Sequence, residues 1–155
     1  MAAISRLDHV AHAARSIRDL LPLYRDVLGG QYYGGGDNSR VGYRAVVLTF
    51  PQGGKVELME PIGDAGFLDS FLRRNPLGGL HHVTYYVEDI ESAISSAEGA
   101  GFTVVGTWFE RPDYKEAFLH PRSSHGALVQ FVQVSSGYTL QGVGSDLESV
   151  LSAPS

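Results

Sequence analysis

Four residues of metal-ligand type recur at one spacing. His9 and His82 lie 73 positions apart, and so do Glu57 and Gln130. Two imidazoles, one carboxylate and one amide oxygen suit a divalent cation that keeps open positions for substrate. A carboxylate or amide turned toward an apolar interior is costly unless paired, and a cation would pair both. A single strand histidine is more often satisfied or solvated, and a lone glutamate on a terminal strand usually faces water. It is the repeated offset that favours ligands.

The same offset runs through the rest of the chain, which reads as an internal repeat. Asp8-His9-Val10 falls on His81-His82-Val83. Ser16-Ile17 falls on Asp89-Ile90, a helix-capping residue followed by an apolar one. Val56-Glu57-Leu58-Met59-Glu60 falls on Val129-Gln130-Phe131-Val132-Gln133. Without gaps, the offset also pairs Phe118 with Ala45 and Glu116 with Tyr43.

Each half reads as β-α-β-β-β. The first strands are 6–13 and 80–87, both β-rich and both ending before a cap. Apolar residues at helical spacing follow: Ile17, Leu20, Leu21, Tyr24, Val27 and Leu28, then Ile90, Ala93, Ile94 and Ala97. Gly29 and Gly101 stop the two helices. Pro22 predicts a kink, or a first turn that is not α-helical. The remaining strands are expected at 31–33, 41–50 and 55–60, then at 103–108, 114–120 and 128–134. The spacing of Phe67, Leu68, Phe71 and Leu72 predicts a short helix in the linker 61–79. Residues 1–134 therefore form one domain, with modules at about 5–60 and 80–134. The polar tail 135–155 carries a capping box, Ser145 with Glu148, opening an amphipathic turn or two; it is expected to be mobile, with packing on the domain or on a partner as the alternative.

Composition narrows the function. With 43% hydrophobic and 19% charged residues, the chain can build a core and is not a disordered one. A net charge of −5 argues against a nucleic-acid binder. The absence of cysteine excludes disulfides, thiolate metal sites and cysteine nucleophiles. No apolar run approaches the ~20 residues of a membrane span, and no secretory signal is visible, so a cytoplasmic protein is expected. The glycine clusters punctuate turns and do not form a phosphate-binding loop.

The stretches LDHVAHAARSI, PLYRDVLGG, KVELMEPIG, FLRRNPLGGLHHVTYYVEDI and FLHPRSSHGALVQFVQ resemble the vicinal-oxygen-chelate superfamily, and within it the methylmalonyl-CoA epimerases, over roughly residues 6–133. The resemblance implies an α+β fold in which two tandem βαβββ modules form a curved mixed sheet cup around a metal site. It puts the ligands on His9, Glu57, His82 and Gln130, with Co, Ni, Mn, Zn or Fe as the metal. It implies a homodimer acting on a small molecule such as an acyl-CoA, and removing a proton α to a carbonyl. The chain departs from the pattern at Gln130, where Glu is usual, and at Ala45, where certain epimerases carry a candidate catalytic Glu.

The base must then be sought elsewhere. Glu116 is the first candidate because it should share the inward face of its strand, with a solvated strand position as the alternative. Tyr43 would assist as a donor. His12 is expected at the surface or packed on the helix, His120 at a hydrogen-bonded strand end, and His125 in a solvated loop. Two other functions fit parts of this set. His9, His82 and Glu57 match the ligands of a non-haem Fe(II) oxygenase, and the fold also serves metal-free proteins that sequester antibiotics.

Overall fold

The computed structural model describes residues 4–63, 66 and 68–154. Phe67 of the expected linker helix lies outside the described residues. Two tandem βαβββ modules make up an α+β fold. The first holds β1 (Ile4–Ala13), a helical segment, β2 (Gln31–Asn38), β3 (Tyr43–Thr49) and β4 (Lys55–Pro61). A short helix α1 (Asp69–Arg74) occupies the linker. The second module holds β5 (Gly79–Val87), α2 (Ile90–Gly99), β6 (Val104–Trp108), β7 (Tyr114–Leu119) and β8 (Val129–Val134), and the tail adds α3 (Leu147–Leu151). Contacts group the chain into two compact units. One is the chain up to His9 with His82–Tyr138; the other is Val10–His81 with the chain from Thr139 onward. Among the described residues no helix is long and apolar enough to cross a membrane.

The two modules repeat each other down to single hydrogen bonds. Strand order is β2-β3-β4-β1 in the first and β6-β7-β8-β5 in the second, so the last strand always lies beside the first. That pairing is parallel and in the same register, Val10 with Val56 and Val83 with Val129. A parallel neighbour requires a crossover, and the helix after the cap supplies part of it. Ser16 and Asp89 cap as expected, accepting from Arg18 N in one case and from Glu91 N and Ser92 N in the other. The last strand then secures the helix start. Glu60 Oε2 accepts from Ile17 N at 2.7 Å, and Gln133 Oε1 accepts from Ile90 N at 3.0 Å.

The gap-free offset fails at one strand. In the first module Ala45 pairs with Met59 and Val47 with Glu57, whereas in the second Glu116 pairs with Val132 and Phe118 with Gln130. Relative to the last strand, β7 is therefore displaced by two residues. Glu116, not Phe118, stands where Ala45 stands, and Tyr114, not Glu116, is the counterpart of Tyr43. Register follows the packed face of a strand, while connecting loops absorb length. A slip of two leaves every side chain on its original face, so the inward orientation expected of Glu116 survives.

Pro22 has the effect expected of it. The first helical segment is a 3₁₀ turn (Ile17–Asp19) followed by a π-helix (Pro22–Val27), with Leu28 N bonded to Leu23 O at 3.0 Å. Proline carries no N–H to continue an α-helical ladder through this point. The proline-free α2 is a regular helix that buries Ile90, Ala93 and Ala97. Gly29 and Gly101 follow the two segments with φ of 74° and 89°, the left-handed stop that glycine adopts without strain.

The expected mobility of the tail is not what the structure shows. Val150 and Leu151 are buried in the core formed by Ile17, Leu20, Val46, Leu48 and Leu58. Asp146, rather than Ser145, caps α3 by accepting from Ser149 N at 2.9 Å. Ser145 instead donates to Gly142 O and lies 3.0 Å from Tyr32 OH. The anchor is Arg44. Its side chain is buried, donates to both carboxylate oxygens of Asp37, and reaches the carbonyls of Leu151 and Ala153 at 3.4 and 2.7 Å. Glu60 Oε1 lies 3.5 Å from the same guanidinium. The buried charge thus ties the tail to both strands, which the composition of the tail alone does not reveal.

His12 faces the helical segment, with Nδ1 2.9 Å from Tyr24 OH and the rings edge-on. Burial holds its pKa below the ordinary histidine value. His120 accepts from Arg122 N at 3.1 Å at the end of β7, and His125 sits exposed in a loop.

Two outcomes follow. Arg44→Met leaves Asp37 and Glu60 without their buried partner and should cost about 3–5 kcal/mol in urea unfolding. Hydrogen exchange in α3 should rise with it. For His12, the depressed folded pKa means that its contribution is present above the unfolded value of 6.5 and is lost as pH falls below it. His12→Phe should therefore flatten the loss of stability measured between about pH 7 and pH 5.

Candidate metal centre

The centre is built within one unit by four strands. β1 contributes Asp8 and His9, β5 contributes His82 and Thr84, β7 contributes Tyr114 and Glu116, and β8 contributes Gln130. His82 and Thr84 are two apart on β5, as are Tyr114 and Glu116 on β7, so each pair shares a face. Thr84 and Gln130 are direct partners across the parallel β5–β8 ladder. Apart from the half-buried His9 and Tyr114, these residues are buried; Thr84 is 0% exposed, Gln130 6% and Glu116 8%.

A run of close polar contacts connects them. Arg6 Nε donates to Asp8 Oδ1 at 3.0 Å, and its guanidinium stacks 4.5 Å from the Tyr86 ring centre. Asp8 Oδ2 lies 3.0 Å from His9 Nδ1. A carboxylate accepts, so Nδ1 carries the proton and Nε2 keeps its lone pair, the arrangement that a carboxylate–histidine metal ligand needs. His9 Nε2 lies 2.9 Å from Thr84 Oγ1, which donates to Gln130 Oε1 at 2.6 Å. Gln130 Nε2 donates to Glu116 Oε2 at 2.9 Å, and Tyr114 OH donates to the same oxygen at 3.0 Å. The His82 ring meets His9 edge-on at 5.8 Å and Phe118 at 6.1 Å.

This donor set fits a divalent cation. His9 Nε2 and Gln130 Oε1 converge on a single hydroxyl, and ligand atoms of His9 and His82 lie within 4.8 Å of each other. Two neutral nitrogens and an amide oxygen in an enclosed setting favour a borderline metal over calcium or magnesium, which take mainly oxygen ligands.

The other expected residues belong to the second unit. Glu57 is half-buried on β4, paired with Ala11 and Val47. Tyr43 lies at the start of β3, packs near Met59 and Leu72, and accepts from Asn38 Nδ2 at 3.4 Å. His81, beside His82 in the sequence, packs edge-on against Phe71 at 4.9 Å. Burial pushes its pKa down to about 4, so it stays neutral at physiological pH. Glu116 is no solvated strand residue: it is buried against an amide and a phenol.

Thr84, Asp8 and Tyr114 were not singled out by the sequence. Strand alternation offered the signal for two of them, since Thr84 and Tyr114 are each two residues from a named candidate. Asp8 had no such signal, because it precedes His9 and alternation assigns it to the other face.

Comparison with known proteins identifies the family and the fold. Residues 8–118 match the model of the glyoxalase/bleomycin resistance protein/dioxygenase superfamily. An ethylmalonyl-CoA/methylmalonyl-CoA epimerase of Cereibacter sphaeroides is 35% identical over 134 residues, covering 84% of this chain and 99% of that protein. The crystal structure of methylmalonyl-CoA epimerase from Mycobacterium tuberculosis superposes with a TM-score of 0.76 at 22% identity, over 87% of this chain and 91% of that one. A Streptomyces coelicolor methylmalonyl-CoA epimerase in complex with 2-nitronate-propionyl-CoA gives 0.74 at 22%, over 86% and 100%. At these identities the two structures speak for the fold.

The hydroxyl of Thr84 has a measurable role. Thr84→Val keeps the shape but removes the group between His9 and Gln130, and should cost about 1–3 kcal/mol in chemical unfolding. Thr84→Ser should recover most of that loss.

Proposed function

We propose that this chain, which belongs to the glyoxalase/bleomycin resistance protein/dioxygenase superfamily, is a divalent-metal-dependent epimerase of the methylmalonyl-CoA epimerase kind. The observation that carries the reading is the convergence of His9, His82 and Gln130 in a chain similar over nearly the whole length of an ethylmalonyl-CoA/methylmalonyl-CoA epimerase. Those three residues would hold the metal, with Glu57 as the fourth ligand. Glu57 is supported by the 73-residue repeat, in which it is the counterpart of Gln130. The set carries one negative charge, so a divalent ion stays electrophilic.

The substrate class is a 2-substituted malonyl thioester of coenzyme A, whose α-hydrogen is acidified by two carbonyl groups. The bound ion supplies Lewis-acid stabilisation of the negative charge that develops on the carbonyl oxygens. Glu116 accepts the α-proton as the C–H electron pair moves into the enolate. A second group then protonates the opposite face of the α-carbon and recovers a proton from solvent, while Glu116 releases the proton it took, which completes epimerisation. Tyr114 steadies the carboxylate by donating to Oε2. Tyr43, its counterpart in the other module, is the second donor. The half-buried Phe118 ring packs edge-on against His82 at 6.1 Å, beside the proposed ligands. We extend the proposal to a homodimer acting in the cytoplasm.

The test is exchange of the α-hydrogen of methylmalonyl-CoA in D₂O, followed by NMR, with metal content measured on the same samples. Exchange that stops on chelation and returns with Co²⁺, Mn²⁺, Ni²⁺ or Zn²⁺ is the expected outcome. His9→Ala and His82→Ala should each lose at least about 100-fold in rate and most of the bound metal. Absence of exchange with every ion overturns the epimerase reading, and substrate-dependent oxygen uptake with Fe²⁺ would replace it with an oxygenase.

A further inference from the structure

Gln130 has a property that a glutamate at the same place would lack: its two terminal atoms differ. A glutamate offers an acceptor oxygen whichever way it turns. A glutamine offers an oxygen on one side and an N–H₂ on the other, and only the oxygen ligates a cation. A buried ligand of this kind needs something to fix its orientation.

Glu116 meets that need. Its Oε2 accepts from Gln130 Nε2 at 2.9 Å, and because a carboxylate offers acceptors, the amide nitrogen must face it. The oxygen is thereby turned toward Thr84, which donates to it at 2.6 Å and stands 2.9 Å from His9 Nε2. Tyr114 secures the carboxylate from its other neighbour on β7. The strand register makes this arrangement specific to the second module. The position occupied by Glu116 beside β8 is held by Ala45 beside β4, and the residue it serves, Gln130, corresponds to Glu57, which requires no orienting partner.

We propose that Glu116 is a positioning residue for metal binding: it locks the Gln130 amide so that Oε1 is presented to the cation. The proposal rests on the metal reading above and adds to Glu116 a role separate from proton transfer. Amide and carboxylate act as one unit, in which the acid contributes without being a ligand.

The experiment measures Co²⁺ affinity by competition with a chelating dye, with the d–d absorption band as a second readout and a thermal melt to confirm folding. Glu116→Leu removes the acceptor and should weaken Co²⁺ binding about 10- to 100-fold. Glu116→Gln can still present an oxygen to the Gln130 amide and should lose less than about tenfold. The decisive comparison uses Gln130→Glu, whose carboxylate needs no orientation. In that background Glu116→Leu should no longer weaken binding, because it removes only a neighbouring acid. Wild-type affinity in Glu116→Leu, or an equal loss in both backgrounds, overturns the proposal. Co²⁺ binding that His9→Ala abolishes while Glu116→Leu leaves it intact defeats this inference alone; failure of the wild-type protein to bind Co²⁺ defeats the metal reading and the inference with it.

Discussion

The parallel pairing of the first and last strands of each module is the constraint on which the rest depends. An antiparallel meander joins neighbours through tight turns and keeps sequence-distant residues apart. A parallel pair forces the chain to cross over before it can return. Here the return brings Val56 beside Val10 and Val129 beside Val83. In the second module Thr84, near the start, thereby meets Gln130, near the end. The hydrogen bonds from Glu60 and Gln133 to the first turn of each helical segment hold the crossover to the strand it serves. The same strand thus anchors the helix and presents a ligand.

The modules diverged where charge had to be placed. The first keeps acids on its last strand, Glu57 and Glu60, and balances Glu60 with the buried Arg44. That arginine in turn draws in Asp37 and the carbonyls at the end of α3, so the tail packs on this module. The second has amides at both equivalent positions, Gln130 and Gln133, and carries its acid on β7 at Glu116 instead. Moving a carboxylate from one strand to the next keeps it buried near the same ligands but changes its work. It accepts from the Gln130 amide, whose oxygen in turn accepts from Thr84, so acid, amide and hydroxyl form a closed polar unit. Buried polar groups stabilise a fold when such a unit is complete and weaken it when it is not.

Much of this was legible in the residues themselves. The repeat, both caps, the glycine stops and the interruption at Pro22 are local chemistry, fixed by backbone dihedrals and by side chains within a few positions. The 73-residue offset pairs His9 with His82 and Glu57 with Gln130, because residues that fill equivalent positions in duplicated modules keep equivalent spacing. The inward face of Glu116 followed from alternation alone.

Tertiary structure decided what depends on pairing partners. The two-residue displacement of β7 cannot be read from the chain, because loops of different length are free to absorb it while strand faces stay the same. It made Glu116 the counterpart of Ala45 and Tyr114 that of Tyr43. The orientation of the Gln130 amide, the bridging hydroxyl of Thr84 and the Arg44 anchor are likewise contacts between residues distant in sequence, set by which atoms meet when the strands are in register. The types of chemistry this protein can perform were written in its residues; which atom of each residue faces the centre was fixed only when the buried hydrogen bonds found their partners.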